Sequence, residues 1–265
     1  MTSRFKKLAA AVLKPIAEPV FAIEASIAEK WVSAAHHRSF LAQWRLPPAP
    51  EYFEHKLDLY WYWRKSRNPL WVERGVYSSL AINPGASVLE LCCGDGFNAY
   101  FFYSKKADSV IAVDFDAKPI RYAHKHFGGG NIIFKVADIR SEIPAGDFDN
   151  IVWDAAIEHF TEAEIPLIMS EIKDRLARKK GILSGYTLVE REDHTKHLHQ
   201  HEYEFKSKED LLRFLQPHFK HVTVFETIYP ERHNLYFWAS DEKVPFATDW
   251  PMKVTSRANQ TQGIT

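Results

Sequence analysis

The chain has 265 residues, and its 34 lysines and arginines balance its 34 aspartates and glutamates, so the formal net charge is zero. This balance argues against nucleic acid as a partner, because binding to phosphates requires a basic surface. The only cysteines, Cys92 and Cys93, are adjacent, which excludes a disulfide framework and favours the reducing cytoplasm. No apolar run approaches the roughly 20 residues that span a bilayer. The early Lys14 and Pro15 also argue against a signal peptide.

Residues 1–46 are predicted to form an amphipathic helical extension. Apolar residues recur at helical spacing through residues 4–46, and Pro15 and Pro19 are expected to break this segment into two helices. The polar face is basic, which is compatible with peripheral contact with anionic lipid at the inner face of the membrane. Docking on the domain itself, or on a second copy in a homodimer, is the more common use of such a helix.

Residues 47–69 combine a proline-rich linker with a helix that is dense in aromatic residues. The linker Pro47-Pro48-Ala49-Pro50 is stiff and extended. In the predicted helix, Glu51 to Ser66, the aromatic residues occur all round the helix, so burial on more than one side is expected. The two interpretations are a lid over a ligand pocket and ordinary core packing.

Residues 70–240 show the alternation of strands and helices that predicts a doubly wound α/β domain. The predicted strands are Ser87–Leu91, Ser109–Asp114, Ile132–Ala137, Phe148–Trp153, Gly181–Val189, Val222–Ile228 and Asn234–Ala239. The predicted helices are Asn68–Leu80, Phe97–Tyr103, Ala117–Phe127, Glu162–Leu176 and Lys208–Leu215. This order indicates a mostly parallel, seven-stranded sheet that ends in an antiparallel hairpin. Residues 241–265 are expected to form a flexible tail.

The turn after the first of these strands is the main candidate site. Strand, glycine turn and helix start together make a place where backbone N–H groups face a ligand. Glu90 is a carboxylate in an otherwise apolar strand, which is costly unless something binds it. Gly94-x-Gly96-x-x-Ala99 fits the dinucleotide fingerprint, with Asp114 about 20 residues on. One interpretation is therefore an NAD-dependent oxidoreductase or epimerase.

Three further features favour another Rossmann-like family: Glu90 itself, a second acid, Asp138, after the third strand, and the terminal hairpin. The matching pieces are Glu90-Leu-Cys-Cys-Gly94-Asp-Gly96, Ala112-Val113-Asp114, Val136-Ala137-Asp138-Ile139 and Phe148 to Phe160. Together they resemble the class I S-adenosylmethionine-dependent methyltransferases over roughly residues 70–240. Cys92 departs from the family, which usually has a glycine there, so its backbone must stay within the φ/ψ space open to a residue with Cβ.

The resemblance implies S-adenosylmethionine as the cofactor and a role for each matching residue. Glu90 would lie near the methionine end, and the N–H groups near Gly94 and Gly96 would face the methionine and the ribose. Asp114 would accept from both ribose hydroxyls, although alone it would be explained as a turn or cap residue. Phe115 and Ile139 would lie beside the adenine, Asp138 would accept from its amino group, and Asp154 and Ala155 would lie toward the substrate. The implied cofactor-binding residues are therefore Glu90, Cys92, Gly94, Gly96, Asp114, Phe115, Asp138, Ile139, Asp154 and Ala155.

The candidate catalytic residues are His159, His201 and Glu158. His159 follows the fourth strand at the carboxyl edge of the sheet, where it is placed to remove a proton from a hydroxyl acceptor. A histidine that caps or packs at a helix start explains His159 equally well. An extended segment would put His197, His199 and His201 on one face, where three imidazoles could bind a metal. No second group at metal spacing supports this, so we assign no metal and prefer substrate contact by His199 or His201.

The expected function is methyl transfer by in-line displacement, with a general base for a hydroxyl acceptor. No Asp-Pro-Pro-Tyr or Asn-Pro-Pro-Tyr sequence follows the fourth strand, so the amine chemistry of nucleic-acid N-methyltransferases is not indicated. O-methylation of a small molecule or of a surface-glycan sugar is preferred by analogy. The alternatives are the NAD enzyme and a non-catalytic, membrane-peripheral protein of the same fold.

Overall fold

The computed structural model describes residues 3–46, 52, 54–55, 70–176, 180–229, 232–245 and 253–255. The chain forms two units, one of residues 1–50 and 56–67 and the other of residues 51–55 and 68–265. The described part of the first unit is a single long helix, α1 (Ser3–Arg45). The second unit contains the sheet and every candidate site residue.

The second unit is built from one eight-stranded sheet and the helices that pack on it. The strands are β1 (Ser87–Leu91), β2 (Ser109–Asp114), β3 (Ile132–Val136), β4 (Asn150–Asp154), β5 (Ile182–Leu188), β6 (His221–Tyr229), β7 (Arg232–Ser240) and β8 (Lys253–Thr255). The helices are α2 (Leu70–Ala81), α3 (Phe97–Phe101), α4 (Ala117–Phe127), α5 (Glu164–Arg175) and α6 (Lys208–Leu215), with short 3-10 turns at Tyr103–Lys105 and Ile157–His159.

The strand order across the sheet is β3-β2-β1-β4-β5-β7-β6-β8. Strands β1 to β5 pair in parallel, and β7 is antiparallel to both β5 and β6. The doubly wound, mostly parallel sheet and its C-terminal hairpin are therefore confirmed. The chain winds outward from β1 to β3 and then returns to β4 on the other side of β1. Ligands of such sheets bind at this reversal, beyond the carboxyl ends of β1 and β4.

Strand β8 adds an eighth strand to the seven that the sequence predicts. It lies within the segment that was expected to be a flexible tail, and it pairs in parallel with β6 from Glu226 to Ile228. A strand of three residues is too short to produce a recognisable period-2 pattern, so sequence patterning alone misses it. Its pairing covers the open edge of β6, which would otherwise present unpaired backbone groups.

The two faces of β1 belong to two different apolar clusters. Leu89 and Leu91 pack in the cluster that contains α5, whereas Val88 packs in the cluster that contains Ala99 and Tyr103. Side chains alternate along a strand, so Glu90 shares the face of Val88 and lies beneath the start of α3. The carboxyl group of Glu90 is thus placed inside the protein by the register of its own strand.

Helix α1 runs without interruption through Pro15 and Pro19, so the prediction that these prolines break it is wrong. Each proline removes only one backbone hydrogen bond, and their spacing of four residues confines the loss to adjacent turns. No described helix is long and apolar enough to cross a membrane. The proposed aromatic lid helix lies outside the described residues except at Tyr52, Glu54 and His55.

Candidate active site

The loop after β1 is shaped by three residues in the left-handed region, Cys92, Gly94 and Gly96, with φ of 55°, 53° and 76°. The Cys93 N–H donates to the Val113 carbonyl at 2.8 Å, and the Gly94 N–H donates to Asp114 Oδ2 at 2.9 Å. These bonds tie the loop to the end of β2. The chain therefore turns sharply at the carboxyl edge of the sheet, and Asp114 is held beside the loop.

Cys92 adopts a left-handed conformation, in which glycine is the residue under least strain. Its φ lies in the one small positive-φ region that is open to a residue with Cβ, as the sequence argument required. The cost of placing cysteine rather than glycine there is about 1 kcal/mol. The partly buried side chain packs against the core, and burial raises the pKa of the thiol, which disfavours the reactive thiolate.

The two glycines of the loop are constrained differently. A Cβ on Gly96 would lie 2.5 Å from the Phe134 ring, so this position has no room for a side chain. Among the described residues, a Cβ on Gly94 would meet only the Tyr52 Cβ, at 3.6 Å. Gly96 is thus required by packing, whereas the described residues leave room beside Gly94, as a ligand-facing glycine should have.

Four buried acids surround this loop: Glu90, Asp95, Asp114 and Asp154. Burial raises the pKa of Glu90 well above its usual value, and the charges of Asp154, Asp95 and Asp114 raise it further. Glu90 is only 2% exposed, and its Oε2 has no hydrogen-bond partner among the described residues. A buried carboxyl oxygen of this kind lacks a donor or a cation, which identifies Glu90 as a ligand-binding candidate.

Asp154, at the end of β4, is held by two hydroxyl groups. Ser78 Oγ donates to Oδ1 at 2.8 Å, and Tyr103 Oη donates to Oδ2 at 2.5 Å. Burial nevertheless raises the pKa of Asp154 to about 6. The partners come from α2 and from the turn after α3, and no local pattern in the sequence indicates either of them.

The residues assigned to ribose and adenine lie at the ends of β2 and β3, as expected from their strands. Asp114 is buried, whereas Phe115 is 48% exposed and can offer its ring to a ligand. Asp138 forms an ion pair with Arg140, Nη2 to Oδ2 at 2.8 Å, and this pairing lowers the pKa of Asp138. Ile139 is buried next to it. Ala155 adopts a φ of 52° directly after β4.

His55 and Asp95 form a pair that the sequence does not indicate. The His55 backbone N–H donates to Asp95 Oδ2 at 2.8 Å, and the ring Nδ1 contacts Oδ1 at 2.9 Å. The His55 ring also stacks on Phe97 with centroids 4.6 Å apart. The Phe97 N–H donates to Asp95 as well, so the first N–H of α3 is used within the protein. These contacts fasten His55 to the glycine loop.

The three candidate catalytic residues are brought together beyond β4. One ligand atom from each of Glu158, His159 and His201 lies within 4.8 Å of the others, and the two imidazole centroids are 4.8 Å apart. Glu158 and His201 are buried, while His159 is partly exposed. Burial lowers the pKa of His201 to about 4, and Thr187 Oγ1 donates to Glu158 at 3.0 Å. We call this group the Glu–His–His cluster.

The prediction that His197, His199 and His201 share one face is wrong. The segment consists of turns and bends and is not an extended strand, so it lacks the alternation that would place the three side chains on one face. His199 is exposed, and the ring Nε2 of His197 contacts the Val189 carbonyl oxygen at 3.1 Å. Of the three, only His201 joins the Glu–His–His cluster.

Sequence comparisons match a part of the chain that contains all of the candidate cofactor-binding residues, together with Glu158 and His159. A family model described as a methyltransferase domain matches residues 88–181. An uncharacterized methyltransferase of Mycobacterium tuberculosis is 36% identical over 81 residues, which are 30% of this chain and 41% of that protein. Another from Synechocystis sp. is 28% identical over 108 residues, or 40% of this chain and 49% of that protein. The matches span less than half the length of these relatives.

Structural comparisons show the same fold in solved proteins. The N-methyltransferase NodS from Bradyrhizobium japonicum, solved with S-adenosyl-L-homocysteine, has a TM-score of 0.54 and 16% identity over 68% of this chain and 92% of its own. TehB from Haemophilus influenzae has a TM-score of 0.51 and 17% identity over 69% of this chain and 66% of its own. At these identities the likeness establishes the shared fold.

Proposed function

We propose that this chain carries a domain of the class I S-adenosylmethionine-dependent methyltransferase family and that it transfers the methyl group of S-adenosylmethionine to an acceptor molecule. The observation that carries the proposal is the buried carboxyl of Glu90, whose Oε2 has no hydrogen-bond partner among the described residues, beside three other buried acids. Two positive charges, an ammonium and a sulfonium, distinguish this cofactor from NAD. An acidic pocket suits a cation, because unlike charges stabilise each other strongly where water is excluded.

Each part of the cofactor would be bound by residues at the carboxyl end of a different strand. Glu90 would bind the α-amino group, Asp114 the ribose diol, and Phe115 the adenine face. Asp138 would accept from the adenine amino group, for which one of its oxygens must be released from Arg140. When bound, S-adenosylmethionine supplies a methyl group on positively charged sulfur, and the protein's contribution is alignment and exclusion of water.

The acceptor would approach from the side of the Glu–His–His cluster. We assign O-methylation of a small molecule or surface-glycan sugar, because an ionisable acceptor needs a proton acceptor and this cluster contains two imidazoles. The low pKa of His201 makes it a weak base, so His159 would take the proton. The oxygen–carbon bond forms as the carbon–sulfur bond breaks, and the hydroxyl proton passes to the imidazole of His159.

Calorimetric titration of the full chain with S-adenosylmethionine tests the proposal. We expect one binding site, weakened strongly by Asp114→Ala and less by Asp114→Asn, which keeps the shape of the side chain. Absence of binding by the native chain would overturn the proposal. Thermal-shift measurements with NAD and with S-adenosylhomocysteine distinguish the oxidoreductase alternative, which requires stabilisation by NAD alone.

Helix α1 supports a second proposal, peripheral contact with anionic lipid at the cytoplasmic face of a membrane. Apolar residues from Val12 to Trp31 are exposed along it, and Trp31 is 73% exposed. Ile16 and Ile27 lie on the same apolar stripe, while Lys14 projects from the other side. Co-sedimentation with anionic vesicles should fall in the full chain carrying Ile16→Asp and Ile27→Asp. Unchanged pelleting, or a concentration-dependent dimer that the same changes dissociate, would contradict lipid contact.

A further inference from the structure

The ligand atoms of the Glu–His–His cluster are close to the spacing of a metal site. Bonds of about 2.1 Å in tetrahedral geometry place neighbouring ligand atoms about 3.4 Å apart. The three atoms already lie within 4.8 Å of one another, so small side-chain rotations would bring them to that spacing. His159 is the partly exposed member, which leaves one side of the cluster open to an incoming molecule.

The buried imidazole of His201 is oriented by a carboxylate. Its Nδ1 is hydrogen-bonded to Glu204 Oε1, so Nδ1 carries the proton and Nε2 keeps a free lone pair. The same Glu204 oxygen accepts from the His197 backbone N–H at 2.7 Å, which holds the carboxylate in place. A carboxylate that fixes the second nitrogen of a histidine is the usual support of a metal-ligating imidazole.

The two segments that supply the ligands are joined by their backbones. The Glu202 and Tyr203 N–H groups both donate to the Glu158 carbonyl, at 2.8 and 3.1 Å. Glu158 and His159 belong to one 3-10 turn, so their relative placement is set locally. The cluster is therefore assembled before any ion binds, which lowers the entropic cost of binding one.

We propose that Glu158, His159 and His201 bind one divalent transition-metal ion, with Glu204 as the positioning residue of His201. Two imidazole nitrogens and one carboxylate oxygen favour Zn²⁺, Co²⁺, Mn²⁺ or Fe²⁺ over Mg²⁺ and Ca²⁺. Three protein ligands leave at least one coordination position for an acceptor oxygen. The sequence favoured substrate contact over metal for His201, and the structure adds the two partners that the sequence could not pair with it.

This inference rests on the proposed methyl transfer and changes how the acceptor is activated. With its lone pair held by the ion, His159 is a ligand and no longer the base. The ion lowers the pKa of the bound hydroxyl, whose proton leaves to water before the oxygen–carbon bond forms and the carbon–sulfur bond breaks.

The test is titration of the chelator-treated full chain with Zn²⁺ by calorimetry and with Co²⁺ by visible absorption. We expect one equivalent to bind and a d–d band to appear. His201→Ala should lower the affinity at least 100-fold, and Glu204→Gln about 10- to 100-fold. His159→Ala, at the partly exposed ligand, gives a second variant in case the buried one fails to fold. The matched control is His199→Ala, which removes an exposed histidine two residues away.

The outcomes separate this inference from the proposed function. If the native chain binds S-adenosylmethionine but neither Zn²⁺ nor Co²⁺, the metal site is refuted and methyl transfer stands. If His199→Ala reduces metal binding as much as His159→Ala and His201→Ala do, the ion is held by surface histidines and the inference is also overturned. Failure of cofactor binding alone would refute the proposed function and leave the metal result intact.

Discussion

Replacing Asp154 by asparagine should stabilise the cofactor-free protein at neutral pH. The pKa of Asp154 is about 6 in the folded chain, against an ordinary value of 3.8. At about 1.4 kcal/mol for each pH unit between these values, keeping the buried group ionised above pH 6 costs the folded state about 3 kcal/mol. Asparagine removes this cost, although its amide cannot accept from both Ser78 and Tyr103 as the carboxylate does. A net gain of about 2 kcal/mol is expected.

The gain should depend on pH in one direction only. Below the ordinary pKa of 3.8, Asp154 is neutral in both the folded and unfolded chain, so the native protein has no charge to bury. As pH rises from 3.8 toward the folded pKa of about 6, the carboxyl group ionises more readily in the unfolded chain than in the folded one. The free energy of unfolding of the native protein therefore falls over this range, whereas that of the variant does not. The difference in unfolding free energy should therefore be near zero or slightly negative at about pH 4 and reach its full value above about pH 7.

Urea denaturation of both proteins at about pH 4 and about pH 7.5 measures this difference. Taking the difference between variant and native cancels the contributions of other carboxyls, such as Asp138, whose pKa is lowered. Calorimetry should also show S-adenosylmethionine binding weakened by about tenfold, because the proposed site would lose a negative charge near the sulfonium. A variant that is less stable at the higher pH, or a difference that does not vary with pH, would refute the reasoning.

Substitutions at four further positions test the packing around the site. Gly96→Ala should destabilise the fold by about 2–5 kcal/mol in urea denaturation, since its Cβ would lie 2.5 Å from a ring and its φ is 76°. Gly94→Ala should cost only about 1–2 kcal/mol, and equal costs at the two glycines would contradict the argument. Glu73→Ala should cost about 3 kcal/mol and Glu73→Gln less than half of that, because Glu73 accepts from three hydroxyl groups. Tyr103→Phe should raise the pKa of Asp154, moving the pH dependence described above upward.

Local patterning was sufficient for most of the α/β unit. The predicted bounds of β1, β2, α4 and α6 match the structure residue for residue. Apolar periodicity is a property of consecutive residues, so a strand or helix that buries one face can be recognised from its own short stretch of sequence. The failures have local causes too: α1 continues through prolines whose effect is confined to two turns, and β8 is too short to show a period.

The candidate cofactor site was partly predictable for the same reason. A carboxylate such as Glu90 inside an apolar strand is unusual, and the five residues of that strand are enough to reveal it. Asp114 and Asp138 lie at the ends of two other strands, and apolar periodicity predicts where those strands end. The sequence by itself thus determined the strands, their acidic ends and the glycine turn between them. It did not show that Asp138 is paired with Arg140 or that Cys92 adopts a left-handed conformation.

Only the tertiary structure decided which distant residues meet. Asp154 is held by Ser78, 76 residues away in the chain, and Asp95 is held by His55, 40 residues away. Glu158 and His201 come together because β4 and β5 are parallel neighbours, so the segments that follow them leave the sheet at the same edge. These contacts follow from the strand order and from packing across the sheet. A single sequence carries no local trace of such proximity, since it records order along the chain and not distance in space.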